Sequence, residues 1–280
     1  MSAYQACPIM ARLEKLLLST DGSKLSEGAV RESIALAKTC GSKLYVISVV
    51  ETNPELMAIA PGLVEKIEKE TSEHLESVKE MASMEGVDCE IIAHIGEEPH
   101  EYIVDEARKN RVGMIIMGRR GRTGLGRAMM GSVTAKVIGY TLCRVLVVPK
   151  DAKLTYEKIL IATDGSMHSD FASQEAIDIA KRCGSTLIVL SVAKKDEYLP
   201  AAKECVDMVK KAAEKEGITV QTLIKTGVPH EVIVNTAAQE DVGLIVIGSH
   251  GRTGISKLLM GSVTERVIGH AKNVVLVWKL

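Results

Sequence analysis

Three glycines and a serine recur with the same spacing in both halves of the chain, and their types suit the binding of an anion. In the first half, two residues separate Gly118 from Gly121, nine more precede Gly131, and Ser132 follows. The corresponding residues of the second half are Gly248, Gly251, Gly261 and Ser262. Glycine has no side chain to hold an anion away from the backbone, and it tolerates positive φ. The pattern therefore predicts a loop whose N–H groups can surround a negative charge.

The residues after Gly131, SVTAKVI, resume a helical pattern, and Ser132 is well placed as the N-cap of that helix. A helix start has unpaired N–H groups and the positive end of the helix dipole, and both attract phosphate. A P-loop would place a lysine and a hydroxyl directly after its second glycine. Here Gly126 is followed by Arg127 and Ala128. We therefore expect backbone amides to bind phosphate in place of a lysine; a strand-ending turn without a ligand is the alternative.

A second polar segment, TDGS, follows the first predicted strand of each half. It begins with Thr20 and Asp21 in the first copy and with Thr163 and Asp164 in the second. A carboxylate would repel phosphate, so the two aspartates are candidates to accept a hydrogen bond from a base amino group or a ribose hydroxyl. An ordinary turn or helix-start role is the alternative.

The arginines of the first glycine loop differ in whether the second copy repeats them. Arg122 has a counterpart in Arg252, and this pair could neutralise phosphate charge. The second copy has other residues in place of Arg119, Arg120 and Arg127. For these three arginines we expect a solvent-exposed loop face.

The chain is an internal repeat, which indicates two domains, residues 1–150 and 151–280. KLLLSTDGS recurs as KILIATDGS, and MIIMGRRGRTG recurs as LIVIGSHGRTG. Near-continuous apolar runs such as LYVISVV alternate with helical patterns, which is typical of parallel strands covered on both faces. We predict two tandem doubly wound α/β domains, each a five-stranded parallel sheet of order 3-2-1-4-5 flanked by helices. Strands one and four flank the reversal of strand order, so the TDGS segment and the glycine loop should face one crevice.

Composition and charge argue against several classes of partner. A formal net charge of -1 creates no field that attracts nucleic acid, and 3% aromatic residues leave few surfaces for base stacking. No apolar run approaches the roughly 20 residues of a membrane span, and the first ten residues lack the pattern of a secretory signal. Six cysteines without CxxC spacing predict reduced thiols. We therefore expect a cytoplasmic protein that binds neither nucleic acid nor membrane.

The chain resembles the universal stress proteins of the ATP-binding type. The resemblance is carried by the TDGS segment, the glycine frame before the last helix and the closing strands RVLVVP and NVVLVW. The resemblance covers essentially the whole chain, twice. It implies that adenine lies near Asp21 and the backbone of Val49, with ribose and phosphates at Gly118, Gly121, Gly131, Ser132 and Val133. The second site would use Asp164, Val192, Gly248, Gly251, Gly261, Ser262 and Val263.

The resemblance also implies a ligand and an assembly. The ligand would be ATP or AMP, with Mg²⁺ accompanying ATP left open. The closing strands of the two domains would pair, which makes the chain an internal pseudo-dimer, and a homodimer of the tandem chain could follow. Pairing of two apolar edge strands is physically reasonable.

Three classes of function fit these residues. The first is a non-enzymatic adenine-nucleotide sensor or regulatory module in a stress response, because no general base is evident and His100 and His230 lack catalytic or metal-ligand spacing. The second is a slow ATP hydrolase or adenylyl transferase that uses the same crevice. The third is a nucleotide-free interaction or chaperone-like protein in which the glycine loops are structural turns.

Overall fold

The computed structural model describes residues 13–121, 129–252 and 260–279, and strands alternate with helices in both halves. The strands of the first half are β1 (Lys15–Ser19), β2 (Lys43–Glu51), β3 (Cys89–Gly96), β4 (Met114–Gly118) and β5 (Arg144–Val148). The helices of the first half are α1 (Glu27–Cys40), α2 (Pro54–Ile59), α3 (Pro61–Met84), α4 (Pro99–Lys109) and α5 (Ser132–Tyr140). Arg122 and Arg127, which entered the sequence predictions, lie outside the described residues.

The second half repeats this order with a shorter connection between its second and third strands. Its strands are β6 (Lys158–Ala162), β7 (Thr186–Ala193), β8 (Val220–Thr226), β9 (Leu244–Gly248) and β10 (Val274–Trp278). Its α-helices are α6 (Met167–Cys183), α7 (Leu199–Lys215), α8 (Pro229–Gln239) and α9 (Ser262–His270). A single 3-10 turn, Asp196–Tyr198, stands before α7, where the first half has α2 before α3.

The ten described strands form one continuous sheet, in the order β3-β2-β1-β4-β5-β10-β9-β6-β7-β8. Within each half the pairs are parallel and follow the predicted order 3-2-1-4-5. The halves join where β5 pairs antiparallel with β10, with Val147 opposite Val275 and Val145 opposite Val277. The predicted α/β fold and the predicted pairing of the closing strands are both confirmed. Each half therefore has one point at which the strand order reverses, between β1 and β4 in the first half and between β6 and β9 in the second.

Helices cover both faces of the sheet, which explains why the strands are apolar on both sides. Leu16 and Leu18 of β1 pack into the core on one face, while Leu17 packs into the core on the other. All five residues of β4 are buried. This double burial is what near-continuous apolar runs in parallel strands indicate. Among the described helices, none combines the length and apolar character that crossing a bilayer requires.

Besides the strand pairing, polar side-chain contacts connect the halves, among them those of Arg144 and Glu32. Arg144, at the start of β5, forms an ion pair with Glu175 of α6, with 2.8 Å between Nη2 and Oε2. Both side chains are largely buried, at 14% and 10% exposure. Glu32 of α1 accepts a hydrogen bond at 3.1 Å from the N–H of Leu154, in the connection between the halves. Because both contacts are shielded from water, they are screened less than surface ion pairs.

The cysteines only partly follow the sequence prediction. Cys40, Cys89, Cys143 and Cys205 are free thiols, and burial raises the pKa of Cys40 and of Cys89 to about 11. Thiols with such a raised pKa are protonated at neutral pH and therefore unreactive. Cys183 is disulfide-bonded. The expectation of reduced thiols is therefore wrong for this residue, because spacing in sequence cannot reveal which cysteines the fold brings together.

Candidate functional site

The TDGS segments and the glycine loops begin side by side at the reversal of strand order. β1 lies between β2 and β4, and its carboxyl end leads directly into Thr20. The N–H of Thr20 continues the ladder by donating to the carbonyl of Ile47 at 3.0 Å. Gly118 is the last residue of the neighbouring β4. The same relation holds in the second half, where the N–H of Thr163 donates to Leu190 O at 2.9 Å and Gly248 ends β9.

The TDGS segment is a tight turn held by its own side chains. Asp21 Oδ1 accepts a hydrogen bond from the N–H of Ser23 at 3.0 Å, and Thr20 Oγ1 accepts one from the N–H of Gly22 at 3.3 Å. Gly22 has φ +73°, a conformation that residues with a Cβ rarely adopt. The second copy has the same two hydrogen bonds and a φ of +70° at Gly165. The turn alternative noted from the sequence is thus part of what these residues do.

Each turn aspartate also faces the glycine loop. Asp164 Oδ2 accepts a hydrogen bond from the N–H of Arg252 at 2.9 Å. A Cβ on Gly251 would lie 2.6 Å from the same oxygen, and a Cβ on Gly121 would lie 2.7 Å from Asp21 Oδ2. No real Cβ tolerates such a distance. The second glycine of each frame is therefore required so that the aspartate can approach the loop, a role that the sequence analysis did not assign.

The helix after each loop begins one residue earlier than predicted. Gly131 is the N-cap of α5, in extended conformation, and Ser132 is the first helical residue; Gly261 and Ser262 repeat this in α9. The predicted N-cap role of Ser132 is therefore wrong. No side chain caps either helix start among the residues described, whereas Ser166 caps α6 by accepting the N–H of Ser169 at 3.3 Å.

Hydrogen bonds from the loop fix each helix start next to the strand end. The N–H of Gly131 donates to Arg119 O at 2.9 Å, and Thr134 Oγ1 donates to Gly118 O at 3.1 Å. The second half has the same pair of bonds, at 2.8 Å from Gly261 to Ser249 O and at 2.8 Å from Thr264 Oγ1 to Gly248 O. The amide of the N-cap glycine is thus used within the protein. The amides of the next two residues, Ser132 and Val133 or Ser262 and Val263, have no partner within their own helix, because the first N–H groups of a helix follow no earlier turn.

The N-cap glycine Gly131 differs from the other glycines of its frame because the fold has room for a side chain there, whereas a Cβ on Gly261 would lie 3.3 Å from the backbone of Ser249 and His250. Gly131 has φ −65° and ψ 143°, and a Cβ there would meet no atom closer than 3.4 Å. At Gly248, in contrast, a Cβ would lie 2.7 Å from the backbone of His168. Ser132 and Ser262 are exposed, so both helix starts open to solvent. A small residue with no capping oxygen at an open helix start leaves room for an external anion.

The two sites differ in the charged groups beside them. After Gly118 the first half has Arg119 and Arg120, whereas the second half has Ser249 and His250. Arg119 is half-buried and donates through Nη1 to carbonyl oxygens of the second half. Its predicted place on a solvent-exposed loop face is therefore wrong. The side chain of Arg120 donates through Nε to Met129 O at 2.8 Å.

The second site includes a hydroxyl between two imidazoles. Ser249 Oγ lies 3.2 Å from Nδ1 of His168 and 3.2 Å from Nδ1 of His250. A hydroxyl has one proton, so it can donate to only one of the two rings and must accept from the other. Burial lowers the pKa of His168, and the nearby His250 and Lys279 add to this, while Asp164 opposes it. The lowered pKa favours the neutral form of the His168 imidazole in this hydrogen-bonded group.

Several residues near the sites were not predicted. His74 of α3 contacts Thr20, with 3.0 Å between Nε2 and Oγ1. Thr20 also lies 3.0 Å from Ser26 Oγ, which itself donates to Ser23 O at 2.8 Å. The single proton of Ser26 is thus used, so Thr20 donates to Ser26, and the imidazole of His74 must donate to Thr20. In the second site, Arg252 Nη2 lies 3.3 Å from Cys205 Sγ.

The remaining predicted residues lie at the crevice or near it. Val49 and Val192 stand near the carboxyl ends of β2 and β7, half-buried against the core. His100 is buried at the start of α4, beside Glu98, with 3.1 Å between Nδ1 and Oε2. Lys136 pairs with the same carboxylate at 2.6 Å and holds the pKa of Glu98 below its usual value. His100 therefore belongs to a structural cluster on α4 and α5.

Comparison with known proteins gives one consistent family. The model of the universal stress protein family matches residues 12–149 and again residues 155–279. Universal stress protein MJ0531 of Methanocaldococcus jannaschii is 37% identical over 144 residues, which cover 50% of this chain and 84% of that protein. A universal stress protein of Mycolicibacterium smegmatis is 25% identical over 289 residues, covering 94% of this chain and 96% of that protein. The crystal structure of a universal stress protein from Archaeoglobus fulgidus superposes with a TM-score of 0.78 at 22% identity, covering 95% of this chain and 96% of that one. At this identity the structure shows a shared fold.

Proposed function

Because the chain belongs to the universal stress protein family, we propose that it is a regulatory protein that binds one adenine nucleotide, ATP or AMP, in each half. The observation that carries the proposal is the pair of open helix starts at α5 and α9, each with a glycine and no capping side chain among the described residues at its N-cap. A phosphate placed there would receive hydrogen bonds from two amides and would meet the positive end of a helix dipole. The two sites use the same backbone arrangement.

Each residue of the first site has a proposed role. The amides of Ser132 and Val133 bind phosphate, and Arg122 neutralises its charge. Asp21, in addition to holding the loop, accepts a hydrogen bond from the ribose or the adenine amino group, while the backbone of Val49 contacts the base. Thr20 fixes the turn on which Asp21 lies. Gly118, Gly121 and Gly131 let the backbone approach the ligand.

The second site has the same roles in the second repeat. Its phosphate ligands are the amides of Ser262 and Val263, with Arg252 near the loop, and its base and ribose ligands are Asp164 and the backbone of Val192. The supporting residues are Thr163, Gly248, Gly251 and Gly261. The same proposal includes a domain boundary between residues 150 and 151, a cytoplasmic location and a homodimer of the whole chain. Mg²⁺ would accompany ATP through its phosphates, since the described residues bring no three His, Cys, Asp or Glu side chains together as metal ligands.

Calorimetric titration tests the proposal. ATP and AMP should each saturate the protein with two ligands per chain, whereas GTP should bind more weakly because its base presents a carbonyl where adenine has an amino group. Asp21→Ala should remove one of the two ATP sites. Asp105→Ala is the matched control, because Asp105 is an exposed partner of Arg108 on α4, away from the crevice. Absence of ATP and AMP binding would refute the proposal and favour a nucleotide-free interaction protein.

Turnover separates a binding protein from an enzyme that uses the same crevice. The protein is incubated with ATP and Mg²⁺ for hours, and the nucleotides are then separated and quantified. We expect ATP to remain largely intact, since the proposed roles include no general base directed at a water molecule. Rapid product formation that Asp21→Ala abolishes would instead support the hydrolase or adenylyl transferase alternative.

A further inference from the structure

In each half, the proposed site lies at the start of one helix, α5 or α9. The C-terminal end of that helix is bound by a cationic side chain from the other half. Arg119 Nη1 donates to Gly269 O at 3.2 Å and to Ala271 O at 2.7 Å, at the end of α9. Lys279 Nζ donates to Gly139 O, in the last turn of α5. The last carbonyls of a helix lack partners within the helix, and a cation there complements the negative end of its dipole.

These contacts are enclosed between the halves. Gly269 and Ala271 are buried, so their carbonyl oxygens depend on protein partners for hydrogen bonds. Burial lowers the pKa of Arg119 and that of Lys279, which agrees with their removal from water. A hydrogen bond from a charged donor to a buried carbonyl is stronger than one between neutral groups. The two cations therefore fix the helix ends firmly.

Arg119 contacts the site helices of both halves. Its backbone follows Gly118, and its carbonyl oxygen accepts the N–H of Gly131, the N-cap of α5, at 2.9 Å. Its side chain binds the end of α9. A ligand bound at the start of α5 therefore acts on the same backbone from which the Arg119 side chain reaches α9. α9 is one continuous helix of nine residues between Gly261 and Ala271, so a contact that holds its end also positions its start.

We propose that Arg119 is a positioning residue that couples the two nucleotide sites, so that occupation of the first site raises the affinity of the second. This inference rests on the proposed function. The physical reason is preorganisation: a ligand at the start of α5 stabilises the arrangement of Gly131 and Arg119 in which the Arg119 side chain binds the end of α9, so α9 is held in place for the second ligand. By linkage, the second ligand raises the affinity of the first site by the same factor.

The sequence repeat offers a matched variant. The counterpart of Arg119 is Ser249, whose side chain bonds within its own half to His168 and His250. Arg119→Ser therefore gives the first half the residue that the second half already has. Arg31→Ser is the control, because Arg31 Nη2 also donates to a backbone carbonyl near the junction of the halves, that of Ala152 at 2.5 Å, but it does not contact a site helix.

The experiment measures ATP affinity at the second site with the first site open or blocked. Gly131→Ser blocks the first site by placing a capping hydroxyl at the amide of Val133. In the wild type and in Arg31→Ser, blocking should weaken the second site about fivefold or more, which is the lower range of measured couplings. In Arg119→Ser, blocking should change the second site by less than about twofold. Equal coupling with and without Arg119 would overturn the inference.

A second measurement avoids any dependence on how Arg119→Ser folds. In Gly261→Ser, where the second site is blocked, ATP can occupy only the first. The backbone amide resonances of Gly269 and Ala271 should still shift on addition of ATP, because Arg119 contacts both residues. Unshifted resonances would overturn the coupling and leave nucleotide binding intact. Wild-type protein that binds no nucleotide would instead refute the proposed function itself.

Discussion

Replacing the N-cap glycines with serine should strengthen the helices and weaken ligand binding. An N-cap serine accepts a hydrogen bond from the N–H two or three residues further on. At position 131 these are the amides of Val133, which is assigned to phosphate, and of Thr134. Ser166 already caps α6 in this way. At Gly131 the backbone angles are ordinary for serine, and the nearest atom to a new Cβ is Arg120 Cα at 3.4 Å. The substitution Gly131→Ser therefore fits the fold.

The stability change follows from two small terms of the same sign. A serine N-cap stabilises a helix by a few tenths of a kcal/mol relative to glycine. Removing the conformational freedom of glycine from the unfolded chain adds about 0.4 to 1 kcal/mol. We expect the free energy of unfolding to rise by about 0.5 to 1.5 kcal/mol. Thermal unfolding followed by circular dichroism should give a higher Tm for Gly131→Ser.

The binding change has the opposite sign and is larger. A hydrogen bond to a charged group contributes about 1.5 to 3 kcal/mol, so the loss of one amide ligand weakens binding by about tenfold or more. Titration at ATP concentrations below the weakened Kd should show one remaining site in each single variant and none in the double variant. Gly131→Ala is the control, because its methyl group cannot accept a hydrogen bond from the amides. If the serine variants gained stability and bound ATP like the wild type, the amides would not be the phosphate site.

Three further predictions concern charges. Glu265 lies in the first turn of α9, where α5 has Ala135. Glu265→Ala should therefore tighten ATP binding at the second site about two- to fivefold, and Ala135→Glu should weaken ATP binding at the first site by a similar factor. Titrations that show no change in either variant would argue against phosphate at these helix starts. Arg144→Ala leaves Glu175 buried without its partner and should lower the free energy of unfolding by about 3 to 5 kcal/mol. The double variant Arg144→Met with Glu175→Leu should have nearly the stability of the wild type. Denaturant unfolding compares the two, and equal losses of stability would contradict a buried ion pair. The pKa of His168 is lower in the folded protein than in the unfolded chain. The neutral imidazole therefore contributes to stability above the unfolded pKa of about 6.5, and this contribution is lost as the pH falls through the folded pKa. The free energy of unfolding should depend less on pH in His168→Gln than in the wild type, and an equal dependence would contradict this.

The strand order and the location of the crevice could be predicted from the sequence because they depend on repeated local patterns. Apolar runs covered on both faces give parallel strands, and the reversal of strand order places Thr20 beside Gly118 whatever the loops contain. The pairing of β5 with β10 followed from the family resemblance, which supplied what the apolar closing strands alone could not. These features are common to both repeats.

The contacts that could not be predicted are those made by side chains distant in sequence. Arg119 looked solvent-exposed because its repeat counterpart is a serine, but it reaches buried carbonyls in the other half. His74 and Cys205 come from the connection in which the repeats differ in length, so comparison of the copies gave no signal. The predicted N-cap, Ser132, lies one residue after the observed one, Gly131. Serine is preferred over glycine at N-caps, so the residue types alone indicated Ser132.

A structure of the protein crystallised with ATP tests the central claim most directly. We expect phosphate oxygens within about 3.2 Å of the amide nitrogens of Ser132 and Val133, and of Ser262 and Val263 in the second half. We also expect the adenine beside Asp21 and Asp164. ATP bound elsewhere on the protein, with both helix starts facing only solvent, would contradict the claim.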